Sequence, residues 1–171
     1  MPDSAQSVYF VNADGDPVRF AIKGRASYTN CAPAQVFLER VTGEGSASLV
    51  IDFTDCVGMD STFLGLLAGA GLRIKGRRPS PGTLTLTGLS TRNLELVRNL
   101  GLHRLMTVDG APVDPATKPA AGLAPEAPGK CAASHETILQ AHEDLMRIDP
   151  ANDAKFRDVV TFLKREAPPK P

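Results

Sequence analysis

Short apolar runs with strand character recur along the first two thirds of the chain. Val8 to Asn12 and Val18 to Lys23 have β-propensity, and the Asp-Gly and Pro residues between them predict a hairpin. Leu49 to Phe53 is almost continuously apolar, as expected of a central strand buried on both faces. Thr83 to Thr87 alternates strictly, which predicts a half-buried strand, and a last short strand is predicted at Leu105 to Val108.

Three helical segments separate these strands. The first runs to Val41 from a cap at Thr29 or Asn30, the second covers Thr62 to Lys75, and the third is capped by Ser90. The order β-β-α-β-α-β-α-β predicts an α/β fold with a mixed sheet, in which the later strands are parallel and joined by right-handed crossovers. The helices are expected to pack against this sheet.

The second helix is unusual in its glycine content. A loop from Thr54 to Asp60 is predicted before it, and Gly65, Gly69 and Gly71 lie within it. Each glycine costs roughly 1 kcal/mol in a helix interior relative to alanine. Close approach of another backbone is the simplest compensation, so the glycines predict tight packing on this helix.

The composition changes after this α/β region. Residues 109–133 are rich in Pro, Ala and Gly and poor in large apolar residues, which predicts a flexible linker between a domain at 7–108 and a helical pair at 134–166. Ser134 caps the first of these helices, and Asp149-Pro150 opens the second. Each helix has an apolar stripe that must be buried against its partner helix, the first domain or another protein.

Charge and cysteine content exclude several classes of function. The 171 residues contain 19 Lys plus Arg and 19 Asp plus Glu, so no global field attracts nucleic acid or an anionic membrane. No apolar run approaches the roughly 20 residues of a membrane-spanning helix, and the first residues do not resemble a leader, so a cytoplasmic location is expected. Cys31, Cys56 and Cys131 are widely spaced, which predicts reduced thiols rather than a disulfide framework or a zinc site.

The candidate functional segment is Asp60 to Leu64, at the start of the second helix. Two interpretations fit it. In the first, Asp60 or Ser61 caps the helix by accepting a hydrogen bond from a free backbone N–H. In the second, the Ser61 hydroxyl lies at the positive helix terminus, where a phosphate would be stabilised by free N–H groups and the macrodipole.

The order of elements and this segment together resemble the STAS domain, which is shared by anti-sigma factor antagonists and the cytoplasmic tails of sulfate transporters. The resemblance spans roughly Ser7 to Val108. In the antagonists, the motif Asp-Ser-(Ser/Thr)-Gly-Leu-Gly lies at this junction, and its first serine, here Ser61, is phosphorylated by the anti-sigma factor, itself a serine kinase. Leu49 to Phe53 resembles the family's apolar strand, and Gly88 to Leu102 resembles its last strand-to-helix unit.

The chain departs from the family pattern at two positions. Phe63 replaces the motif's glycine, where its ring is either an apolar anchor for a partner or an obstruction to a kinase. Ser27 stands where an acidic residue is usual. Ser61 is the expected phosphorylation site, with Thr62 as the second candidate. The residues expected to bind the partner are Ser27, Tyr28, Asp60, Ser61, Thr62, Phe63 and Leu64.

The resemblance implies a non-enzymatic regulator without metal or cofactor, which binds an anti-sigma factor and is switched by phosphorylation of Ser61. The alternative is a STAS docking module that is never phosphorylated and binds constitutively to a transporter or a stress-signalling complex. The helical pair adds a further hypothesis, in which Phe156, Val159 and Val160 dock onto the first domain or pair between two chains and restrict access to Ser61. The partner's identity and the oligomeric state stay open.

Other polar residues have simpler interpretations. Asp52 and Asp55 lack the further acidic pair and the lysine of a phospho-accepting receiver site, so strand-end and loop-capping roles are predicted. The basic cluster of Arg73, Lys75, Arg77 and Arg78 has two interpretations, a site for an anion or a phosphorylated partner and a solvated helix end, of which the second is favoured. His135 and His142 lack a third ligand and the His-Glu-x-x-His spacing, so both are predicted to be surface helix residues rather than metal ligands.

Overall fold

A mixed sheet forms the centre of the protein. The computed structural model describes residues 8–43, 48–78, 80–109, 114–124 and 130–167. Within them, six strands pair in the order β5-β4-β3-β2-β1-β6. The β1–β2 and β1–β6 pairs are antiparallel, and the pairs from β2 to β5 are parallel. The strands are β1 (Tyr9–Asn12), β2 (Val18–Ala26), β3 (Ser48–Met59), β4 (Thr83–Thr87), β5 (Thr107–Asp109) and β6 (Ala121–Gly122).

Five α-helices complete the α/β architecture in the described residues, which confirms the predicted fold class. They are α1 (Ala32–Gly43), α2 (Ser61–Lys75), α3 (Thr91–Asn99), α4 (His135–Ile148) and α5 (Ala151–Arg165). Stacked aromatic rings join the sheet to the first two helices: Tyr9 stacks on Phe20 and on Phe63, with centroids 5.6 and 5.9 Å apart, and Phe20 stacks on Phe37 at 5.6 Å. The hydrophobic core therefore lies between the sheet and these helices.

The predicted loop from Thr54 to Asp60 is wrong, because β3 continues to Met59. This extension pairs with the end of β2, which itself runs beyond the predicted Lys23 to Ala26. Two register shifts in the β2–β3 pair interrupt the alternation of side chains, so the sequence here does not have a regular strand pattern. As a consequence, β3 leads directly into α2.

The last strand is also displaced from its predicted position. Leu102–Arg104 form a turn of 3₁₀ helix, and Leu105 and Met106 precede the strand instead of belonging to it. Met106 is buried, and its methyl group lies close to Gly71 of α2. The apolar character of Leu105 and Met106 therefore reflects packing against α2 rather than strand formation.

Strand β6 lies inside the segment predicted as a linker. Phe10 pairs with Gly122 and Val11 with Ala121, which adds the segment to the edge of the sheet beside β1. Just before it, the Lys118 ammonium forms an ion pair with Asp55 at 2.6 Å. The Ala-Gly sequence of β6 has no alternation of apolar and polar residues that would predict a strand. The division of the chain at residues 109–133 stays a prediction.

The two C-terminal helices pack onto the α/β region. Backbone hydrogen bonds fix the segment before them: the Ala32 N–H donates to the Cys131 carbonyl at 2.9 Å, and the Ala133 N–H donates to the Tyr28 carbonyl at 2.7 Å. From there α4 runs along α2, and α5 folds back on α4. This arrangement corresponds to the first of the two alternatives for the pair, docking onto the first domain.

Asn152 is expected to stabilise the packing of the C-terminal helices strongly. Its side chain is fully buried, and its Nδ2 donates to the carbonyls of Leu100 and Leu145, both at 2.8 Å. Replacement by alanine leaves both acceptors without this donor, so we expect Asn152→Ala to lower the free energy of unfolding by about 2 kcal/mol in urea denaturation. The control is Asp158→Ala on the exposed side of α5, where a change within about 0.5 kcal/mol is expected. Equal effects of the two substitutions would contradict this role.

Candidate functional site

Asp60 organises the junction between β3 and α2. Its Oδ1 accepts a hydrogen bond from the Phe63 N–H at 2.9 Å, and its Oδ2 accepts one from the Tyr28 N–H at 2.8 Å. The Asp60 N–H donates to the Ala26 carbonyl at 3.2 Å. Asp60 is therefore the helix cap, and it also fixes the loop after β2 beside the start of α2.

Ser61 is the first residue of α2, and its hydroxyl contacts α4. The Ser61 Oγ lies 2.9 Å from Nε2 of His142. The other ring nitrogen of His142 lies 2.7 Å from the Ile138 carbonyl, which can only accept a hydrogen bond, so Nδ1 carries the proton. In the neutral ring Nε2 is then the acceptor, and the Ser61 hydroxyl donates to it.

His142 is almost fully enclosed, so its predicted surface position is wrong. Its exposed fraction is 4%, and the ring of Phe156 packs edge-on against it with centroids 5.3 Å apart. The docking of α4 on α2 buries the imidazole. Because Ser61 and His142 are 81 positions apart in the chain, no local sequence pattern predicts this burial. In the part of the chain that the structure describes, no group of three or more His, Cys, Asp or Glu side chains is arranged to hold a metal ion.

Four residues of α2 at intervals of four form a continuous contact line for α4: Ser61, Gly65, Gly69 and Arg73, here named the α2 stripe. A Cβ atom at Gly65 would overlap the Ala141 carbonyl group, and one at Gly69 would lie 2.7 Å from an Asp144 carboxylate oxygen. The close packing predicted from the glycines is confirmed at both positions. Helix α4 can approach this closely only because these two residues have no side chain.

The far end of the α2 stripe is polar. The Arg73 Nε donates to the Thr42 hydroxyl at 2.8 Å, and its guanidinium is attracted by Glu39 and Asp144. Partial desolvation lowers the pKa of Arg73, although much of its side chain stays exposed. On the neighbouring helix α1, Gln35 Oε1 accepts a hydrogen bond from the Thr137 hydroxyl at 2.8 Å. Arg73 therefore belongs to the α4 contact rather than to a fully solvated helix end.

The residues predicted to bind a partner differ widely in exposure. Tyr28 is 52% exposed, whereas Asp60 and Ser61 are partly buried. The other four are buried: Ser27, Thr62, Phe63 and Leu64. Of these seven residues, only Tyr28, Asp60 and Ser61 therefore offer surface to a partner in this conformation.

Phe63 and Ser27 have structural surroundings that the sequence did not reveal. The Phe63 ring has no exposed surface and stacks on Tyr9, so it faces the core instead of standing beside the Ser61 hydroxyl as an anchor or an obstruction. The Ser27 hydroxyl lies 2.7 Å from that of Thr29, within its own turn. Both side chains therefore support the loop and helix that position Ser61.

The strand-end and loop-capping roles predicted for Asp52 and Asp55 are wrong, because both residues lie within β3, which continues to Met59. Asp52 Oδ1 accepts hydrogen bonds from the Thr54 backbone at 2.8 Å and the Thr54 hydroxyl at 2.6 Å. Asp55 pairs with Lys118. A cavity of about 250 Å³ lies between the sheet and the segment leading to β6. Its charged lining residues are Lys23, Asp52, Asp55 and Lys118.

Burial also governs the chemistry of two thiols. Desolvation raises the pKa of Cys31 to about 12 and also raises the pKa of Cys56. Since the thiolate is the nucleophilic form, both groups stay protonated at neutral pH. Cys31 and Cys56 therefore act as packing residues.

Comparison with solved structures supports the fold. No protein-family model and no curated protein matches the sequence. The structure is similar to that of the anti-sigma factor antagonist SpoIIAA in its unphosphorylated form, with a TM-score of 0.50 and 15% sequence identity over 61% of this chain and 89% of that chain. The chain therefore has a STAS-like fold. Among the described residues, no helix is long and apolar enough to cross a membrane.

Proposed function

We propose that this chain is a non-enzymatic regulator of the anti-sigma factor antagonist type, which acts by phosphorylation-controlled partner switching. The unmodified chain binds an anti-sigma factor that is also a serine kinase, through the Ser61 region, and the bound anti-sigma factor releases its sigma factor. Phosphorylation of Ser61 reverses this binding. The position of Ser61 as the first residue of α2, directly after the capped β3–α2 junction, carries the proposal.

The start of α2 suits a phosphorylated serine. Backbone N–H groups in the first turn of a helix have no partners within the helix, and the helix dipole stabilises negative charge there. In α2 the Phe63 N–H already donates to Asp60, so the N–H groups before it are the ones that a phosphate could use. A phosphate on Ser61 would lie at this terminus. Thr62 is a poorer acceptor because its side chain is 4% exposed, so Ser61 is the proposed phosphorylation site.

Helix α4 limits access to this serine. The Ser61 hydroxyl donates to the buried His142 ring, so a kinase that approaches the hydroxyl competes with α4 for the same atom. This contact supports the hypothesis that the C-terminal pair restricts access to Ser61. Of its apolar residues, Val160 is buried, Phe156 packs on His142, and Val159 is 40% exposed.

A second candidate function follows from the same contact. A serine hydroxyl that is hydrogen-bonded to a buried histidine has a structural role without any modification. The chain would then be a STAS docking module of a transporter or a stress-signalling complex that stays unphosphorylated. The two functions differ in whether Ser61 carries phosphate in the cell.

Phosphosite mapping of the protein recovered from its own cells, grown with and without stress, distinguishes them. We expect phosphate on Ser61 that changes with stress and is absent from a Ser61→Ala variant. A Thr62→Ala variant is the matched control and should keep the modification. An unmodified Ser61 in every condition would refute the switch and leave constitutive docking as the function.

A further inference from the structure

The α2 stripe has the geometry of a helix-docking groove. Ser61, Gly65, Gly69 and Arg73 lie on one face of α2, and the two glycines form a shallow depression between a hydroxyl and a guanidinium. Helix α4 fills this depression with Ala141 against Gly65 and a carboxylate, Asp144, near Gly69 and Arg73. The pattern required of an occupant is therefore a small residue followed three positions later by an acid.

The contact between α4 and the rest of the chain combines polar and apolar groups. The Ser61–His142 hydrogen bond joins α4 to α2, and the Gln35–Thr137 hydrogen bond joins α4 to α1. A cavity of about 30 Å³, room for about one water molecule, lies between the three helices. Leu145 is fully buried in the hydrophobic core, and Ala141 is buried against Gly65. Partly polar contacts between units of one chain resemble transient protein–protein interfaces. Release of α4 would exchange its hydrogen bonds for bonds to water and would expose Ala141 and Leu145.

We propose that the α2 stripe is the docking groove for an α-helix of the protein partner, and that α4 occupies this groove in the free chain. The partner presents a helix of the same chemistry as α4, with a small residue against Gly65 and a carboxylate against Arg73. The identity of the partner as an anti-sigma factor and kinase rests on the proposed function, whereas the groove does not.

Occupation by α4 sets the apparent affinity of the partner. A partner that binds only the open form loses apparent affinity in proportion to the open fraction, so a chain that is open about 1% of the time binds about a hundredfold more weakly than a fully open one. Weakening the α4 contact alone should therefore strengthen binding in the groove. Blocking the groove itself should abolish it.

The test uses the full chain and a fluorescein-labelled peptide of residues 134–166 as the helical probe. Ala141→Leu places a larger side chain against Gly65 and opens the groove without altering α2, so we expect about tenfold tighter probe binding than in the unaltered chain by fluorescence anisotropy. Glu136→Leu, at an exposed position of the same helix, is the matched control and should behave like the unaltered chain.

A second substitution locates the probe. Gly65→Ala added to Ala141→Leu should abolish probe binding, because the new methyl group occupies the place of the incoming helix backbone, while alanine favours α2 formation. Thermal unfolding of each variant verifies that the chain is folded. Equal probe binding by the unaltered chain and by Ala141→Leu would contradict the proposal that the α2 stripe is a docking groove. Probe binding that persists after Gly65→Ala would contradict it as well.

Competition tests the partner's part of the proposal. A purified kinase that phosphorylates Ser61 should displace the labelled probe from the Ala141→Leu chain. A kinase that binds this chain without displacing the probe would contradict the claim that the partner and α4 bind the same groove. Absence of phosphate on Ser61 in cells would leave the probe measurements unchanged. The proposed function and the groove can therefore fail separately.

Discussion

Replacement of Phe63 by alanine is expected to lower the free energy of unfolding by about 3–5 kcal/mol. The ring has no exposed surface and stacks on Tyr9, which stacks in turn on Phe20 of the central sheet. Truncation removes this buried ring and leaves a cavity at the first turn of α2. Phe63→Gly, which restores the glycine of the resembling motif, should destabilise further because glycine also weakens a helix.

Urea denaturation measures this effect, and Tyr28→Ala is its control. Tyr28 is an aromatic residue of the same region with a 52% exposed side chain, so its replacement should change stability by no more than about 0.5 kcal/mol. A loss below about 1 kcal/mol for Phe63→Ala would show that the ring is not a core residue.

Phosphate on Ser61 is expected to lower the affinity for the partner by about a hundredfold or more. The group adds about −1.5 to −2 charge, together with bulk, at the centre of the proposed interface. Burial of this charge without a partner costs several kcal/mol, and even about 3 kcal/mol corresponds to more than a hundredfold in affinity. The phosphoryl group also replaces the proton that Ser61 donates to His142.

Isothermal titration of the purified anti-sigma factor with both forms of the chain measures this change. Ser61→Ala is the matched control, because it removes the His142 hydrogen bond without adding charge, and its affinity should stay within about tenfold of the unmodified chain. Equal affinities of the phosphorylated and unmodified chains would contradict electrostatic exclusion.

Local patterns predicted much of the sheet and the position of Ser61. The continuous apolar run at Leu49 to Phe53 and the alternation at Thr83 to Thr87 each correspond to an observed strand. The end of β3 was missed because register shifts against β2 break the alternation on which such predictions depend. Strand β6 was missed because its two small residues pair with β1 through backbone groups alone.

The surroundings of Ser61 depend on contacts between distant parts of the chain. Gly65 and Gly69 indicated close packing on α2, but nothing in their neighbourhood identified α4 as the element that packs there. His142 reaches Ser61 across 81 positions of sequence, so its burial and its hydrogen bond follow from the tertiary fold. The sequence also did not show which way Phe63 faces, because a residue in the first turn of a helix can point to the core or to solvent. Its contact with Tyr9, far away in the sequence, accompanies its burial in the core.

Release of sigma factor from its complex with the anti-sigma factor tests the central claim most directly. Addition of the unmodified chain to the purified complex should release sigma factor in proportion to the amount added. The chain phosphorylated on Ser61 should release none at the same concentration. Release by neither form, or equal release by both, would contradict a partner switch controlled at Ser61.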